Sequence, residues 1–342
     1  MLLQVIWFVL IGVLLAGYAV LDGFDLGVGT LYPFLGKSEA DKALLRKSIG
    51  PVWDGNEVWL LTAGGALFAA FPPVYATVFS GFYLALMLVL FALIFRAVSL
   101  DFRAHDSAWA AVWDWAFFIG SALPSLLFGV AVGNIVLGVP LFANGEFAGN
   151  FFTLLGIWHG FNPFALLIGI LGLSMILLQG ASWVAVKTEG ELHQRAAVLR
   201  SALAWVFALL VVVAFLSTAL FAKLAFTNVI LSPAGWVFAA LLLVSLIWGR
   251  YAANAGKDLS AWYAISLSAV SLVGIWAAAI FPNLVPTLGP GGPLTVFNSS
   301  SSPLTLEVML IIAIIGVPLV LFYMYLIYNT FSGKVVAEGD GY

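Results

Sequence analysis

The chain has 342 residues, of which 63% are hydrophobic and only 8% are charged, and its formal net charge is -3. Ordinary soluble domains carry about 25% charged residues, so this composition excludes a soluble enzyme, which needs far more charged surface. The high apolar content also excludes a disordered chain. Its 13 scattered Lys and Arg residues are too few for a nucleic-acid surface. A membrane protein with several spans remains.

Long apolar runs divide the chain into nine predicted transmembrane helices, since about 20 apolar residues cross the hydrocarbon core of a bilayer. The predicted spans are 2–21, 52–71, 74–95, 112–136, 162–186, 201–221, 231–248, 262–281 and 306–328. Together they form a single integral membrane domain over residues 1–342, without a soluble domain. The first span is expected to be a retained helix, because no basic segment or small-residue cleavage site accompanies it.

The basic residues are distributed very unevenly between the two sides of the membrane. Twelve of the 13 Lys and Arg residues fall in connections on one side, and only Lys223 falls on the other. The positive-inside rule therefore predicts an outer N-terminus and a cytoplasmic C-terminus. Arg96, which follows a long apolar run, is predicted to extend its side chain toward the cytoplasmic interface.

The chain offers few residues that could ligate a redox cofactor. It has no Cys and only three His residues. His105 and His193 lie among charged residues and are predicted to be solvated loop residues. His159, next to Trp158 at a span end, is predicted to be interfacial, with a ligand or quinone contact as the alternative. No facing His pair of the kind that holds a transmembrane haem is recognised.

Several carboxylates are predicted at the cytoplasmic ends of spans. Asp22 and Asp25 form one i, i+3 pair and Asp54 and Glu57 form another, so each pair shares a helix face. Asp114 opens the fourth span. No Lys or Arg lies in the same segments, and an unpaired carboxylate in hydrocarbon costs at least ~2.5 kcal/mol. These acids are therefore expected to face a protein interior or a wet cavity, where they could form a proton relay or a cation site.

A simpler role for the acids is weighed equally. Asp54, Glu57 and Asp114 each fall in a predicted first helical turn, where a carboxylate caps free N–H groups and suits the helix dipole. Asp25 follows a predicted helix end, and the glycines around it could end the helix and place it in a loop. The G-x-x-x-G sequence at 23–27 is predicted to allow close helix packing.

Six sequence blocks carry a family resemblance that covers nearly the whole chain in order. They are AVLDGFDLGVG, SIGPVWDGNEVWLLTAGGALFAAFPPVYATVFSGFY, FRAVSLDFR, WDWAFFIGS, LLQGASWVAVKTEGELHQRA and SSSPLTLEVM. These blocks resemble subunit II of the cytochrome bd family of quinol oxidases, and W-D-G-N-x-V-W-L is the most specific among them. The stretch 221–262 carries little of the match.

The resemblance implies a fold of two four-helix bundles plus one peripheral helix. It also implies a complex in a bacterial or archaeal plasma membrane that oxidises ubiquinol or menaquinol and reduces dioxygen to water. Haems b and d and their ligands would belong to subunit I, so this chain would bind no cofactor or metal itself. The implied partners are subunit I, a small single-helix subunit, quinol and the phospholipid membrane.

The resemblance also implies roles for particular residues. Asp54 would lie at the cytoplasmic entrance of a proton path into subunit I, with Glu57 on the same path. Trp59 matches a position associated with oxygen access. Asp25 and Asp114 match family acids, and we expect them to meet near Asp54 and to bind a cation or ordered water.

Two other classes of function are compatible with the residues. A proton- or cation-coupled secondary transporter could use the inner acids, and a purely structural subunit would need no chemistry from them. Transporters commonly show inverted repeats and broken helices near the bilayer midplane. The acids here fall at one edge and no internal repeat is visible, which favours the oxidase subunit.

Overall fold

The computed structural model describes residues 1–150 and 163–336, and it confirms the predicted all-helical membrane fold. In the described ranges the chain forms twelve helices and one two-stranded sheet. The helices are α1 (Leu2–Leu35), α2 (Glu39–Ile49), α3 (Trp53–Ala70), α4 (Pro72–Gly81), α5 (Tyr83–His105), α6 (Ala110–Leu137), α7 (Phe164–Lys187), α8 (Gly190–Phe221), α9 (Lys223–Leu231), α10 (Pro233–Asn254), α11 (Asp258–Ile280) and α12 (Pro303–Thr330).

Eight of the helices in these ranges are long and apolar enough to cross a membrane: α1, α5, α6, α7, α8, α10, α11 and α12. The second predicted span corresponds to α3, which has 18 residues. Its mean hydropathy is too low to place it among these eight helices, because its first turns carry acids and an amide. The third predicted span is divided at Phe82 into α4 and α5. The fifth predicted span begins at Asn162, outside the described residues.

The helices pack as two four-helix bundles and a peripheral helix. One bundle contains α1, α3, α5 and α6, and the other contains α7, α8, α10 and α11. Contacts of α7 with α1 and α6 join the bundles. Helix α12 touches only α1 and α3 among the major contacts, and its most apolar stretch is not buried within this chain. Its apolar surface is therefore available to lipid or to a partner.

Two predicted helix ends are wrong in the same direction. Helix α1 continues 14 residues past Leu21, and α5 continues ten residues past Phe95 to His105. Residues 22–32 of α1 are buried on every side, so packing holds this part of the helix together despite its glycines. Asp25 accordingly lies inside a continuous helix and not in a loop.

The glycines of α1 serve the close packing that their spacing predicts. A Cβ atom added to Gly27 would lie 2.2 Å from the carbonyl oxygen of Ile176, and one added to Gly180 would lie 2.3 Å from the backbone of Gly27. Helices α1 and α7 therefore touch backbone to backbone, and this contact joins the two bundles. At the end of the helices opposite to the basic residues, strand β1 (Asn283–Val285) pairs antiparallel with strand β2 (Leu294–Thr295).

Candidate functional site

A buried ion-pair cluster joins α1, α3 and α5. The Arg96 guanidinium lies 2.7 Å from the Asp22 carboxylate (Nη1 to Oδ1) and 3.3 Å from the Glu57 carboxylate (Nη2 to Oε2). The side chain of Asp22 is fully buried, whereas that of Glu57 remains 21% exposed. One cation thus serves two acids, of which one lies in the interior and the other reaches toward the surface.

Asp25 lies beside this cluster but has a neutral partner. The Asn56 side-chain amide donates to the Asp25 carboxylate over 2.7 Å, and the Tyr328 hydroxyl donates to the Asn56 carbonyl oxygen over 2.8 Å. Asp25 Oδ1 and both Asp22 oxygens are buried without a hydrogen-bond partner among the described residues. Buried polar atoms are usually satisfied, so these oxygens can accept protons or water.

The prediction that Arg96 extends toward the interface is wrong. Arg96 is fully buried, and its guanidinium carbon lies 6.0 Å from the ring centroid of Trp53. The acids of α1 and α3 therefore do have a compensating cation, which comes from a helix far away in the sequence. Pairing of this kind is the usual condition for ionisable groups within a membrane.

Asp54 occupies a different environment, one turn before Glu57. It lies in the first turn of α3, is exposed, and makes no hydrogen bond or ion pair to the described part of the chain. The exposed face of α3 continues from Asp54 through Val58, Leu61 and Phe68. This mostly apolar face, with Asp54 at one end, is available to lipid or to a partner in the membrane.

Trp59 lies on the opposite side of α3 and contacts α1. A Cβ atom added to Gly17 would lie 2.3 Å from the Trp59 ring, so the indole occupies the space that a larger residue 17 would fill. Its Nε1 is buried without a hydrogen-bond partner among the described residues. Trp59 therefore fills the interior of the first bundle; its proposed relation to oxygen access stays a prediction.

Asp114 belongs to a second cluster at the basic end of the bundle, the end that carries most of the cations. Its carboxylate accepts from Lys42 Nζ and from Arg103 Nε, both over 2.7 Å, and from the Tyr32 hydroxyl over 2.9 Å. Glu39 also contacts Lys42 at 3.2 Å and Arg103 at 2.5 Å. These contacts attach α2 to the ends of α1, α5 and α6.

The structure separates Asp25 from Asp114, which we expected to meet near Asp54. Asp114 binds Tyr32, which lies seven residues beyond Asp25 on α1 and hence about 10 Å further along the helix axis. Asp25 instead binds Asn56. The two acids have separate partner sets, and lysine and arginine side chains hold Asp114 where a shared cation was expected.

The acids and cations of α2 stabilise one another over a wide pH range. Hydrogen bonds from Arg103 and Lys42 lower the pKa of Glu39, and the hydrogen bond to Asp114 raises the pKa of Lys42. A lowered acid pKa stabilises the fold at pH values above the pKa of the unfolded chain, and this stabilisation is lost as the pH falls. A raised lysine pKa stabilises the fold at pH values below the pKa of the unfolded chain, and this stabilisation is lost at alkaline pH. The attachment of α2 should therefore be strongest around neutral pH.

We expect Asp114→Asn to destabilise the protein more than Glu39→Gln. Asp114 is 15% exposed and accepts from two cations, so its loss should cost about 1.5–3 kcal/mol, as for hydrogen bonds to charged groups. Glu39 is 70% exposed, and solvent screening limits its loss to less than about 1 kcal/mol. Thermal unfolding of the two variants at neutral pH measures the difference, and equal melting temperatures would contradict this ranking.

Both described histidines, His105 and His193, have partners within the protein. His105 ends α5, is exposed, and contacts the backbone oxygen of Asp101. His193 is not a solvated loop residue as predicted: it lies in α8, and its Nε2 is 2.9 Å from Asp258. Across residues 1–150 and 163–336, no three His, Asp or Glu side chains are grouped to hold a metal. His159 lies outside the described residues.

The geometry defines a helical membrane protein whose interior carries ionisable groups and whose basic end presents an exposed acid one turn from them. Intramembrane ionisable groups of this kind typically mark proteins that handle protons or ions.

Comparisons with known proteins identify the family. The family model of cytochrome bd terminal oxidase subunit II matches residues 3–331. The cytochrome bd-I ubiquinol oxidase subunit 2 of Escherichia coli K12 is 37% identical, with 98% of this chain and 96% of that protein covered. The cytochrome bd ubiquinol oxidase subunit 2 of Bacillus subtilis is 32% identical, with 96% of each chain covered.

A solved structure shares the fold. The bd oxidase of Geobacillus thermodenitrificans contains a chain that matches with a TM-score of 0.79 at 15% identity, covering 97% of this chain and 99% of that chain. The protein belongs to the family of cytochrome bd terminal oxidase subunit II, and it is therefore a subunit of an oxidoreductase complex in a bacterial membrane.

Proposed function

We propose that this chain is the subunit of a quinol:dioxygen oxidoreductase that carries no haem, and that it supports the haem-bearing subunit and admits protons from the cytoplasm near Asp54. Its relatives are named as ubiquinol oxidase subunits. The three haems, of types b and d, would be ligated by subunit I. The described histidines of this chain, each engaged at the basic end, do not fit an axial haem pair. Either ubiquinol or menaquinol would be the substrate of the complex.

The observation that carries the proton role is a graded series of acids on two helices. Asp54 is exposed at the basic end and has no partner among the described residues, Glu57 is half-buried one turn further on, and Asp22 is fully buried. Arg96 bridges the last two, so a proton that reaches Glu57 changes the balance of charge around Arg96. Asp54 would take up protons, and Arg96 would compensate the negative charge of the interior acids.

The scaffolding role is supported by two surfaces that could face lipid or a partner, one on α3 of the first bundle and one on the peripheral helix α12. The exposed face of α3 begins at Asp54, and α12 is uncovered along its apolar length. Subunit I would cover the α3 face, so that Asp54 lies beside the seam between the subunits and can pass protons across it. The small single-helix subunit would pack on the same complex.

A coupled transporter is the other candidate, and the charge pairing weighs against it. A site that binds and releases a cation needs a group of acids with room for the cation between them. Here Arg96 already occupies the space between Asp22 and Glu57, and no described group could hold a metal ion.

Purification in mild detergent distinguishes these two classes. We expect the chain to copurify with a haem protein, to give a visible haem spectrum, and to support quinol-dependent oxygen consumption. A colourless preparation that is complete as a single chain and transports a solute would contradict the oxidase assignment. Replacement of Asp54 by Asn, with oxygen consumption measured per haem, tests the proton role separately.

A further inference from the structure

A second polar feature lies at the basic end of the other bundle, apart from the acid cluster. Helices α7, α8, α10 and α11 enclose a partly open pocket of about 30 Å³, room for one or two water molecules or a small polar group. Its polar lining comes from Arg200 and Ser201 of α8, from Ser245 and Arg250 of α10, and from Ser268 of α11. Two arginine residues therefore line one small opening.

Arg200 is buried at this pocket with unused hydrogen-bonding capacity. Its side chain is only 4% exposed, and Nη1 lies 2.9 Å from the Asp258 carboxylate. Nevertheless, Nε and Nη1 have no partner of hydrogen-bond geometry in the described residues. Asp258 also pairs with His193, so the carboxylate is shared. A buried arginine whose Nε–H has no partner among the described residues favours a ligand that accepts hydrogen bonds.

Arg250 adds an uncompensated positive charge at the mouth of the pocket. Its guanidinium carbon lies 5.7 Å from the ring centroid of Trp205, and it makes no ion pair within the described part of the chain. The Trp205 side chain is 66% exposed, and exposed tryptophans are enriched at the headgroup level of a bilayer. The pocket therefore opens where lipid phosphates lie, and its net charge is positive.

Apolar stripes lead from the pocket toward the centre of the membrane. On α10, Ile247 and Leu243 precede Arg250 by three and seven residues, which puts all three on one helix face. On α8, Leu209 follows Trp205 by four residues. All three of these aliphatic side chains are more than half exposed. They offer about 10 Å of apolar surface along the axis of α10 beneath the charged groups.

From this arrangement we propose that the pocket binds the phosphodiester group of an anionic membrane lipid. The phosphate lies between Arg250 and Arg200, and the acyl chains lie on the stripes of Leu243, Ile247 and Leu209. Bidentate guanidinium contacts suit phosphate oxygens, and basic pockets between helices at the cytoplasmic face are suited to anionic headgroups. A free phosphate ion would use only the charged half of this surface.

The test measures lipid binding to the intact purified complex. Dioctanoylphosphatidylglycerol is titrated while the melting temperature is followed, with dioctanoylphosphatidylcholine and inorganic phosphate as the other ligands. We expect only the anionic lipid to stabilise the complex strongly. Arg250→Gln should weaken its binding about fivefold, as expected for one cation at a membrane surface, and Arg250→Lys should retain most of it.

Lys257→Gln is the matched control, because Lys257 is an exposed cation seven residues beyond Arg250 that does not line the pocket. It should bind the anionic lipid like the parent. Equal binding by the Arg250→Gln and Lys257→Gln variants would overturn the proposal. Equal stabilisation by phosphatidylcholine would remove the preference for an anionic lipid, and equal stabilisation by inorganic phosphate would replace the lipid with a small anion.

Discussion

The Arg96→Gln variant is expected to be the least stable single-charge variant of this protein. The guanidinium compensates Asp22, which is fully buried, and also contacts Glu57. Removal of one partner from a buried ion pair costs about 3–5 kcal/mol, because the remaining charge stays buried without compensation. Thermal unfolding and the yield of assembled complex measure this loss.

A double variant distinguishes the effect of the lost charge from the effect of lost packing. The Asp22→Asn/Arg96→Gln double variant removes the fully buried pair and should recover part of the lost stability, since only Glu57, whose side chain is 21% exposed, then lacks its cation. Lys257→Gln removes an exposed cation and should change the melting temperature very little. If Arg96→Gln were as stable as Lys257→Gln, the ion pairs seen in the structure would not be important for the fold.

The same arginine illustrates what the sequence can and cannot predict. Arg96 follows an apolar run, and that position alone suggests a side chain that reaches the interface. The positions 96, 99, 100 and 103 are nevertheless all buried, and this spacing follows one helix face. The sequence does not reveal this burial, because only Leu100 among these four residues is apolar. No signal within the chain pairs Arg96 with Asp22, because 74 residues separate them and the packing of α6 against both α1 and α5 brings them together.

Local patterns predicted other parts of the fold well. The apolar runs led to the helical membrane fold, the spacing of Gly23 and Gly27 predicted a close helix contact, and the sequence blocks led to the family. The partners of Asp25 and Asp114 could not be predicted in this way. Asp114 lies next to Lys42 only because α2 folds back over the basic end, and helix periodicity carries no information about such a connection.

Replacement of Asp54 by Asn is expected to lower oxygen consumption without lowering stability. Asp54 is exposed and has no partner among the described residues, so the fold loses only a favourable charge at the start of α3, worth about 0.3–1 kcal/mol. We expect turnover per haem to fall about tenfold. The loss should be smaller than the 10²–10⁴-fold typical of a group acting in a transition state, because water can bypass an exposed entrance.

The pH dependence of the variant separates proton uptake from a structural effect. A carboxylate that collects protons matters most when protons are scarce, so the loss caused by Asp54→Asn should be larger at mildly alkaline than at mildly acidic pH. Asp101→Asn is the matched control, since Asp101 is another exposed acid at the basic end of the same bundle. It should keep normal turnover at both pH values. Normal turnover of Asp54→Asn with full haem content would exclude Asp54 as the entrance, and a uniform loss at both pH values would indicate that Asp54 supports the contact with subunit I instead.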